Sequence, residues 1–590
     1  MASEELRRKV AESDAYIMSA PAYDFDEVIG FYIDAARAAL YTERDREYGL
    51  TLTARCKTLI EEQISKITNG LTPWDLEKWL FSQKKEYPLL ETYYSVLLME
   101  AQNMVFDSYL QYLEKKREPN ERFYMPKRKQ FIEHGLIDAF QGCIEDKYDI
   151  VCISLPPGTG KTTLEKFFNS AVIGWFPRDY TLFYSHSGDI TRMYYDGVYD
   201  IVTNDDEYTW GEIFPDLIVT HTNAKMEQFD INPKGKKRYK PFPSVQTSSV
   251  GSKNAGKVRA SKFLFVDDMI GGIEEALNKN VLQKLWEKYS TDARQRKTKD
   301  TSEKACKEII IATRWSTVDP IGRVMMEYKD DPRVKVISVP DIDPVTGESN
   351  FAYEFGGFDV AFYNDIARLM DDISYKCLYK QEPIEREGLL YHEDELRRFI
   401  TLPNREPDAI IGVCDTKAKG TDFMFLPCFY QYDNDYYLVD CVFDDNPDFG
   451  VQEDRCSELI LTHNMQQCQF ESNVGGDRFA ENVAKKIKQY NSRCNITTKP
   501  TESNKETKIF VNADWVKKNI LFPDKSLYTP KSDMGRMMAQ LISYSVAGKN
   551  VHDDAPDGLA MFALYATASI GYAKVEAIEN PFRGYAYGSF

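Results

Sequence analysis

The stretch from residue 150 to residue 163 constrains the fold of this chain more than any other. Residues 150–155 form an apolar run that predicts a buried strand, and a helical pattern begins at Leu164. Between them stands Pro-Pro-Gly-Thr-Gly-Lys-Thr-Thr. A strand that passes through a glycine-rich turn into a helix is the setting of a phosphate-binding loop, because its backbone N–H groups and the helix dipole attract phosphate. The alternative is a glycine-rich turn with an incidental lysine.

The side chains of this loop fit that chemistry. Lys161 is placed to neutralise charge on the β- and γ-phosphates of a nucleotide, and the Thr162 hydroxyl is placed to ligate magnesium. The loop departs from the full pattern at Leu155, because a glycine is usual six residues before the lysine. The predicted nucleotide ligands are Gly158, Thr159, Gly160, Lys161, Thr162 and Thr163.

A second apolar run, residues 263–266, supplies the carboxylate that a phosphate loop needs. It ends in Asp267 and Asp268, and ligands of open α/β sheets bind at the carboxyl ends of the strands. We therefore expect Asp267 to hold the magnesium ion through its water shell. The residue that polarises the attacking water stays open among Asp268, Glu274 and Glu275. The alternative is a strand that ends in a solvated acidic turn.

A third apolar run, residues 308–312, is followed by Thr313, Arg314 and Trp315. These polar residues are placed to sense the γ-phosphate from the next strand of the same sheet. In order and spacing with the other two runs, this one indicates a translocase-type ATPase, in which hydrolysis is coupled to motion.

The 590 residues divide into four predicted parts. Residues 1–118 show apolar spacings of three and four and are predicted to be helical. Residues 119–400 alternate short strands with helices, which predicts an α/β domain with a mostly parallel sheet. Residues 401–575 begin with three β-rich runs, 409–414, 423–430 and 436–442, and a hairpin is expected at 432–435. Residues 576–590 are interpreted as a tail.

Three carboxylates in the third part form a second constellation. Asp415 follows the run 409–414, Glu471 follows the run 467–470, and Asp557 follows Pro556, which suits the first turn of a helix. Carboxylates that converge in this way hold two divalent metals ~4 Å apart, which is the chemistry of phosphodiester cleavage. Asp554 lies on the same helical side as Asp557 and is expected to assist. Oxygen ligands without His or Cys favour Mg²⁺ or Mn²⁺ over zinc, although each Asp taken alone is usually just a polar strand end.

The net charge of −18 argues against a protein that is basic all over. It leaves room for a local basic surface, since residues 232–262 contain nine Lys or Arg and no Asp or Glu. We expect this window to face double-stranded DNA or a neighbouring subunit, and the alternative is a solvated basic loop. The eleven cysteines include no Cys-x-x-Cys pair, which indicates reduced intracellular thiols. No apolar run reaches the ~18 residues that cross a bilayer.

Over about residues 120–575, these motifs resemble the large terminase subunit of tailed double-stranded DNA phages. The resemblance rests on the Pro-Pro loop at 156–163, the strand with two aspartates at 263–268 and Ala-Thr-Arg-Trp at 312–315. It continues with Asp415 before Gly-Thr-Asp-Phe at 420–423, Phe-Glu-Ser-Asn at 470–473 before two glycines, and Asp-Asp-Ala-Pro-Asp at 553–557.

The resemblance implies a P-loop NTPase of the ASCE type that pumps DNA into a procapsid, followed by an RNase H-like nuclease that cuts the concatemer. It implies ATP and Mg²⁺ as cofactors, with Mn²⁺ as an option at the nuclease site. The implied metal ligands are Thr162, Asp267, Asp415, Glu471, Asp554 and Asp557. The implied partners are the portal protein of the procapsid, the small terminase subunit and further copies in a ring, expected to be a pentamer. The implied location is the host cytoplasm, with transient docking on the procapsid and absence from the mature virion.

Two positions depart from the family pattern, and two further segments are compared with it. Many members have an arginine in the loop where this chain has Gly158, so the charge-stabilising arginine is expected at Arg259, as a finger that reaches a neighbouring subunit. Asp268 stands where a glutamate is common. Tyr124 and Gln130 lie where the family binds adenine, although this segment reads equally well as a basic helix start. The helical extension is longer than the family suggests, and either docks a partner or covers the ATPase.

Two other classes of protein compete with this interpretation. A helicase-like DNA translocase would keep Lys161, Asp267 and Thr313 and leave the carboxylates of the C-terminal domain catalytically silent. A nucleotide-switched assembly protein would carry a guanine-reading Asn/Thr-Lys-x-Asp motif. The nearest approach to it, Asp415-Thr416-Lys417, does not match.

Overall fold

The structure, a computed structural model, describes residues 3–19, 23–236, 240–250, 252, 258–370, 372–383, 389–416, 423–500, 504–545, 550 and 552–576. The chain forms two compact units. The first contains Met1–Leu369 and Tyr375–Pro383, and the second contains Met370–Ser374 and Ile384–Phe590. No helix among the described residues is both long enough and apolar enough to cross a membrane.

The first unit begins with helices, as predicted. These are α1 (Glu4–Ser19), α2 (Phe25–Arg37), α3 (Arg46–Thr68), α4 (Pro73–Gln83), α5 (Pro88–Gln102), α6 (Phe106–Leu113), α7 (Arg128–Glu133) and α8 (Leu136–Ile144). Helix α4 starts with a capping box, in which the Thr72 side chain accepts from the Asp75 amide and the Asp75 carboxylate accepts from the Thr72 amide. The apolar pattern of residues 93–112 is split between α5 and α6, because Met104 has a positive φ of 64° that no α-helix accommodates.

An eight-stranded sheet forms the centre of the first unit. Its strands are β1 (Ile150–Ser154), β2 (Thr181–Ser185), β3 (Leu217–Asn223), β4 (Gln228–Pro233), β5 (Val245–Ser249), β6 (Phe263–Asp267), β7 (Lys307–Ile311) and β8 (Val334–Ser338), in the order β3-β4-β5-β2-β6-β7-β1-β8. The six strands from β5 to β8 in this order are parallel, and the antiparallel pairs are β3 with β4 and β4 with β5. The helices that alternate with these strands or follow them are α9 (Lys161–Trp175), α10 (Gly188–Thr203), α11 (Trp210–Ile213), α12 (Ile273–Leu277), α13 (Lys279–Glu287), α14 (Pro320–Glu327), α15 (Val360–Leu369) and α16 (Asp372–Tyr375).

This strand order confirms the predicted α/β class. Strand β7 lies between β1, which leads into the phosphate loop, and β6, which ends in Asp267. The insertion of one strand between these two is the ASCE arrangement that the resemblance implies. It also places Thr313, two residues after the end of β7, next to the ends of both strands, where a residue that senses the γ-phosphate is expected.

The second unit contains a seven-stranded sheet in the order β14-β13-β10-β11-β12-β15-β9. Its strands are β9 (Arg398–Phe399), β10 (Ala409–Cys414), β11 (Met424–Tyr432), β12 (Asp435–Asp444), β13 (Gln467–Glu471), β14 (Asn495–Lys499) and β15 (Ile520–Pro523). Its helices are α17 (Phe449–Thr462), α18 (Gly476–Lys488), α19 (Lys505–Asn519), α20 (Asp533–Ser543) and α21 (Asp554–Glu576).

The pairing within this sheet is that of an RNase H-like domain. Strands β10, β11 and β12 form an antiparallel meander, and β13 and β14 then run parallel to β10 on its other side. The predicted hairpin is confirmed, with Tyr432 opposite Asp435 and a left-handed Asp433 in the turn. Helix α21 covers the meander, and Phe562 stacks on Phe429 with 3.7 Å between the ring centroids.

Candidate nucleotide and metal sites

The phosphate loop lies between β1 and α9, as predicted. Gly158 and Gly160 have φ values of 78° and 100°, a region that glycine enters without steric cost. The Lys161 ammonium donates to the Leu155 carbonyl at 3.1 Å. A side chain at position 155 is therefore compatible with the loop, because that residue contributes its carbonyl. The loop borders a cavity of about 510 Å³, whose lining includes Gly158, Gly160, Lys161, Thr162 and Thr163.

Thr159 is the one predicted loop ligand that does not line this cavity. Its side chain is buried and donates to the Pro156 carbonyl at 2.8 Å. Its own carbonyl accepts from the hydroxyl of Tyr353 at 2.9 Å. Thr159 therefore stabilises the conformation of the loop and does not contact the cavity.

Thr162, which lines the cavity, contacts Asp267, the carboxylate that the sequence predicts to hold magnesium. The Thr162 hydroxyl donates to Oδ2 of Asp267 at 2.8 Å. The other oxygen, Oδ1, is buried and has no hydrogen-bond partner among the described residues. Burial, followed by the charge of Asp268, raises the pKa of Asp267 to about 7. A hydroxyl beside a buried, partly unpaired carboxylate fits Mg²⁺, whose charge would offset the cost of burying the carboxylate.

Asp268 and Thr313 meet at the same edge of the sheet. The Thr313 amide donates to Oδ1 of Asp268 at 3.0 Å, and the Asp268 amide donates to the Ile311 carbonyl at 2.9 Å. The Thr313 hydroxyl lies 3.5 Å from the Lys161 ammonium. Asp268 has a φ of 36°, an uncommon conformation for a residue other than glycine, and such conformations gather at functional sites. Both residues line the cavity.

The other candidates for the catalytic base are placed differently. Glu275 accepts a hydrogen bond from the Gly271 amide at 2.7 Å and does not line the cavity. Glu274 belongs to α12, and its side chain lies outside the described residues. Asp268 is therefore the only one of the three whose described side chain borders the cavity.

Two features of this cavity differ from the expectation. Arg314 points away from it, because its guanidinium pairs with the buried Asp319 at 3.0 Å. His186 lines the cavity and was not predicted, and its Nδ1 lies within hydrogen-bonding distance of the Asp268 carbonyl. A signal for His186 exists in the sequence, since it directly follows the strand-like run 181–185.

The two adenine candidates do not line this cavity. Tyr124 is fully buried, and its hydroxyl donates to Asp107; its contact with adenine stays a prediction. Gln130 donates to the Ala352 carbonyl at 3.1 Å. It lines a separate cavity of about 1100 Å³, together with Trp74 and Arg128.

Two lysines of the basic window have contacts within the chain. Lys240 is buried and donates to the carbonyls of Pro177 and Ile231, and Lys262 pairs with Asp300 at 2.7 Å. These two lysines have structural roles, because their ammonium groups bind oxygen atoms of the same chain. Lys234 and Lys236 are exposed, whereas Lys237, Arg238, Lys253 and Lys257 lie outside the described residues.

Arg259, the predicted finger, is half-buried and precedes β6. Its guanidinium donates to the carbonyl of Gln295 at 2.8 Å. Arg259 is not among the residues that line the phosphate-loop cavity of its own chain. A role toward another subunit stays a prediction.

The second unit brings the predicted carboxylates together. Cys414 and Phe470 are register partners in the parallel strands β10 and β13. Asp415 and Glu471 directly follow these two residues, so their carboxylates lie next to each other at the ends of the strands. Asp557 lies in the first turn of α21. Burial raises the pKa of Asp415 well above its ordinary value, and the negative charges of Asp557 and Glu471 add to the shift. A divalent cation would relieve this repulsion between buried carboxylates.

Two lysines of α19 neutralise this cluster, and neither was predicted. Lys508 pairs with Oδ1 of Asp557 at 2.6 Å, and Lys505 lies 3.5 Å from Oδ2 of the same residue. Lys505 also pairs with Asp553 at 2.7 Å. Within the part of the chain that the structure describes, no group of three or more His, Cys, Asp or Glu is arranged as a ready metal site. The carboxylates nevertheless suit Mg²⁺ or Mn²⁺ in ligand type and burial.

Asp554, the predicted helper, has a structural contact. Its Oδ2 accepts from the Phe423 amide at 3.1 Å, which ties the start of α21 to the start of β11. Glu471 accepts from the side-chain amide of Asn473 at 3.0 Å. The segment Gly-Thr-Asp at 420–422, part of the resemblance, lies outside the described residues.

No protein-family model matches the chain, and no curated protein does. Several solved structures are similar to it. One is the large terminase of a thermophilic bacteriophage in complex with ADP, with 12% identity, a TM-score of 0.32, and coverage of 71% of this chain and 94% of that one. Another is the HK97 bacteriophage large terminase, with 10% identity, a TM-score of 0.32, and coverage of 73% and 94%. A third is the ATPase domain of the Thermus phage P74-26 large terminase, with 12% identity, a TM-score of 0.28, and coverage of 40% and 88%.

These TM-scores are all below 0.5, so the likenesses decide nothing about function. The function has to be inferred from the residues of this chain.

Proposed function

We propose that this chain is a large terminase subunit, which uses ATP hydrolysis to drive double-stranded DNA into a procapsid and cuts concatemeric DNA with a metal-dependent nuclease. One observation carries the proposal. A single chain contains a phosphate loop paired with a strand-end carboxylate, Asp267, and a second cluster of carboxylates. In that cluster, Asp415 and Glu471 lie at strand ends of an RNase H-like sheet, and Asp557 lies in the first turn of α21.

In the motor, Lys161 and the loop amides bind the phosphates of ATP, and Thr162 with Asp267 would hold Mg²⁺. The ion supplies charge neutralisation at the β- and γ-phosphates. Asp268 is the candidate to orient the attacking water, because its carboxylate lies at the cavity. Thr313 contacts Asp268 through its amide and lies near Lys161, so it is placed to report the state of the γ-phosphate to β7.

In the nuclease, Asp415, Glu471 and Asp557 would hold the divalent ions, Mg²⁺ or Mn²⁺, that activate water for phosphodiester cleavage. Lys505 and Lys508 bind the carboxylates of α21 and keep their charge balanced. Asp554 fixes the start of that helix through the Phe423 amide, which orients Asp557 from behind.

The biological setting follows from the proposal. The subunit acts as a ring of copies, a pentamer, docked on the portal protein of a procapsid in the host cytoplasm, and is absent from the mature virion. A small terminase subunit delivers the DNA. Arg259 would supply the charge-stabilising guanidinium to the neighbouring subunit, and exposed lysines such as Lys234 and Lys236 would contact the DNA backbone.

A second candidate is a helicase-like translocase with a silent RNase H-like domain. The observation that favours it is the pairing of Lys508 and Lys505 with Asp557, since these cations already neutralise the carboxylates. The two candidates differ in one property, which is metal-dependent cleavage of DNA by the full chain.

A pair of substitutions in the full chain tests the proposal. Lys161→Ala should stop ATP hydrolysis and leave plasmid cleavage in Mn²⁺ intact, and Asp415→Ala should do the reverse. Matched controls are Lys329→Ala and Glu481→Ala, which alter exposed residues of the same two units and should leave both activities unchanged. Absence of cleavage by the wild-type chain would favour the silent-domain translocase. Loss of both activities in either variant would contradict two independent sites.

A further inference from the structure

A layer of buried polar residues lies directly beneath the phosphate loop. It consists of Glu165 and Asn169 on α9, Ser185 at the end of β2, Tyr194 on α10 and Asp267 at the end of β6, and we call it the buried polar cluster. All five residues are at most 2% exposed. Polar side chains at this depth require an account, because burying a polar group without a partner is costly.

Four elements, α9, α10, β2 and β6, contribute these side chains to the same layer. Glu165 follows Thr162 by three residues and precedes Asn169 by four, so the three share one face of α9. On β6, Phe263 and Phe265 both contact Phe168 of α9, with centroid distances of 5.1 and 6.3 Å. Side chains alternate along a strand, so Asp267 also faces α9.

The second strand brings the remaining members of the cluster. Ser185 pairs in register with Asp267 across β2 and β6. Two residues before it, Phe183 stacks on Tyr194 of α10 with 3.7 Å between the ring centroids. The Thr181 hydroxyl donates to Oδ1 of Asn169 at 2.9 Å, which fixes the amide orientation on that side.

The cluster contains matched donors and acceptors. Six of its atoms have no hydrogen-bond partner in the described part of the chain. Three of them accept, namely both carboxylate oxygens of Glu165 and Oδ1 of Asp267. The other three donate, namely Nδ2 of Asn169 and the hydroxyls of Ser185 and Tyr194. Buried polar groups in proteins bond to one another or through water, and these acceptors and donors are complementary in number and kind.

Electrostatics also couple Glu165 to Asp267, the proposed magnesium carboxylate. Burial, followed by the negative charge of Asp267, raises the pKa of Glu165 well above its ordinary value. Asp267 accepts from Thr162 at Oδ2, and its other oxygen, Oδ1, is buried without a hydrogen-bond partner among the described residues, so Oδ1 is available to the buried polar cluster.

We propose that Glu165 is a positioning residue, which holds Asp267 through the buried polar cluster so that its carboxylate stays directed at Thr162 and the magnesium position. This inference rests on the proposed ATPase function. The physical reason is that a carboxylate held at one oxygen only can rotate, whereas one held on both sides keeps its orientation. Groups that support a metal ligand in this way typically contribute 10- to 100-fold to metal affinity, on the order measured for other metal sites.

The test measures the Mg²⁺ dependence of ATP hydrolysis by the full chain with Glu165→Leu and Glu165→Gln. Leucine keeps the approximate volume and removes both acceptors, and glutamine keeps the length and one acceptor. We expect Glu165→Leu to raise the half-saturating Mg²⁺ concentration about tenfold or more, and Glu165→Gln to raise it less. Binding of ATP in EDTA should change little, because the loop and Lys161 are untouched.

Glu100→Gln is the matched control. Glu100 is buried in α5 and bonds to Thr53 and Lys57, so the variant should lower thermal stability and leave the Mg²⁺ response unchanged. If Glu165→Leu does not fold, a raised Mg²⁺ requirement in Glu165→Gln supports the inference and an unchanged one overturns it. Folded variants with a lowered kcat and an unchanged Mg²⁺ requirement would also overturn it. A wild-type chain that hydrolyses no ATP would instead contradict the proposed function.

Discussion

Lys508 pairs with Asp557 at 2.6 Å, and both side chains are buried, with exposed fractions of 2% and 7%. The other lysine of α19, Lys505, lies 3.5 Å from the second oxygen of Asp557 and is 41% exposed. Removal of one partner from a buried ion pair leaves an uncompensated charge, which costs far more than the pair itself contributes. The two lysines are therefore expected to differ in their effect on stability.

Lys508→Ala should lower the free energy of unfolding of the second unit by about 3–5 kcal/mol. Lys505→Ala should lower it by about 1 kcal/mol or less, since exposed pairs contribute little. Mn²⁺ should restore more stability to the Lys508→Ala chain than it adds to the wild type, because a divalent cation replaces the missing ammonium. Urea unfolding with and without Mn²⁺ measures both effects. Equal losses of unfolding free energy in the two variants would contradict the conclusion that only the Lys508–Asp557 pair is buried.

Asp267 should make the metal-free protein less stable as pH rises. Its pKa in the folded state is raised to about 7 from an ordinary 3.8. Between these values the folded state retains a proton that the unfolded state releases, so stability falls with increasing pH in that window. Asp267→Asn removes this dependence and should abolish ATP hydrolysis. Thermal melting in EDTA between pH 5 and 8 tests this prediction. With rising pH the wild type should lose more stability than the variant, and parallel curves of stability against pH would refute the explanation.

The sequence could predict the nucleotide site because its signals are local. Lys161 and Thr162 lie in one uninterrupted motif, and the strand-end position of Asp267 follows from four apolar residues before it. The lysines of α19 escaped prediction because about fifty residues of chain separate them from Asp557. At that separation, the spacing of residues in the sequence does not show which side chains contact each other. The burial of Lys240 escaped prediction for the same reason, because it depends on the carbonyls of Pro177 and Ile231, which no local pattern displays.

Helix α6 of the helical extension packs on α9, the helix that follows the phosphate loop. Phe106 of α6 contacts Phe168 of α9 at a centroid distance of 5.1 Å, and the Tyr109 hydroxyl lies 2.7 Å from the Ser170 hydroxyl. Phe106→Ala should cost about 3–5 kcal/mol and weaken ATP binding, because α9 begins with Lys161. Phe81→Ala, at an exposed aromatic of the same extension, is the control. Unchanged melting in Phe106→Ala would mean that the extension packs only loosely.

Gly160 should tolerate no side chain. Its φ is 100°, and an added Cβ would lie 2.6 Å from the ring of Phe123. Gly160→Ala should therefore distort the loop and weaken ATP binding at least about tenfold, which corresponds to ~1.4 kcal/mol. Gly188→Ala is the control, because a Cβ at that position meets nothing within 4 Å. Titration with a fluorescent ATP analogue compares the two variants, and equal affinities would show that the loop adapts.

Arg259 should matter only when subunits assemble. Its guanidinium binds the Gln295 carbonyl within its own chain and does not border that chain's cavity, so any catalytic effect has to act on a neighbour. Arginine fingers contribute about 10³–10⁵ in kcat. Arg259→Ala should therefore abolish ATP hydrolysis in the assembled ring and leave ATP binding by the isolated chain intact. Arg259→Lys should not rescue it, since lysine lacks the planar fork. Arg37→Ala, at an exposed arginine of α2, is the control, and normal turnover by the Arg259→Ala ring would exclude the finger.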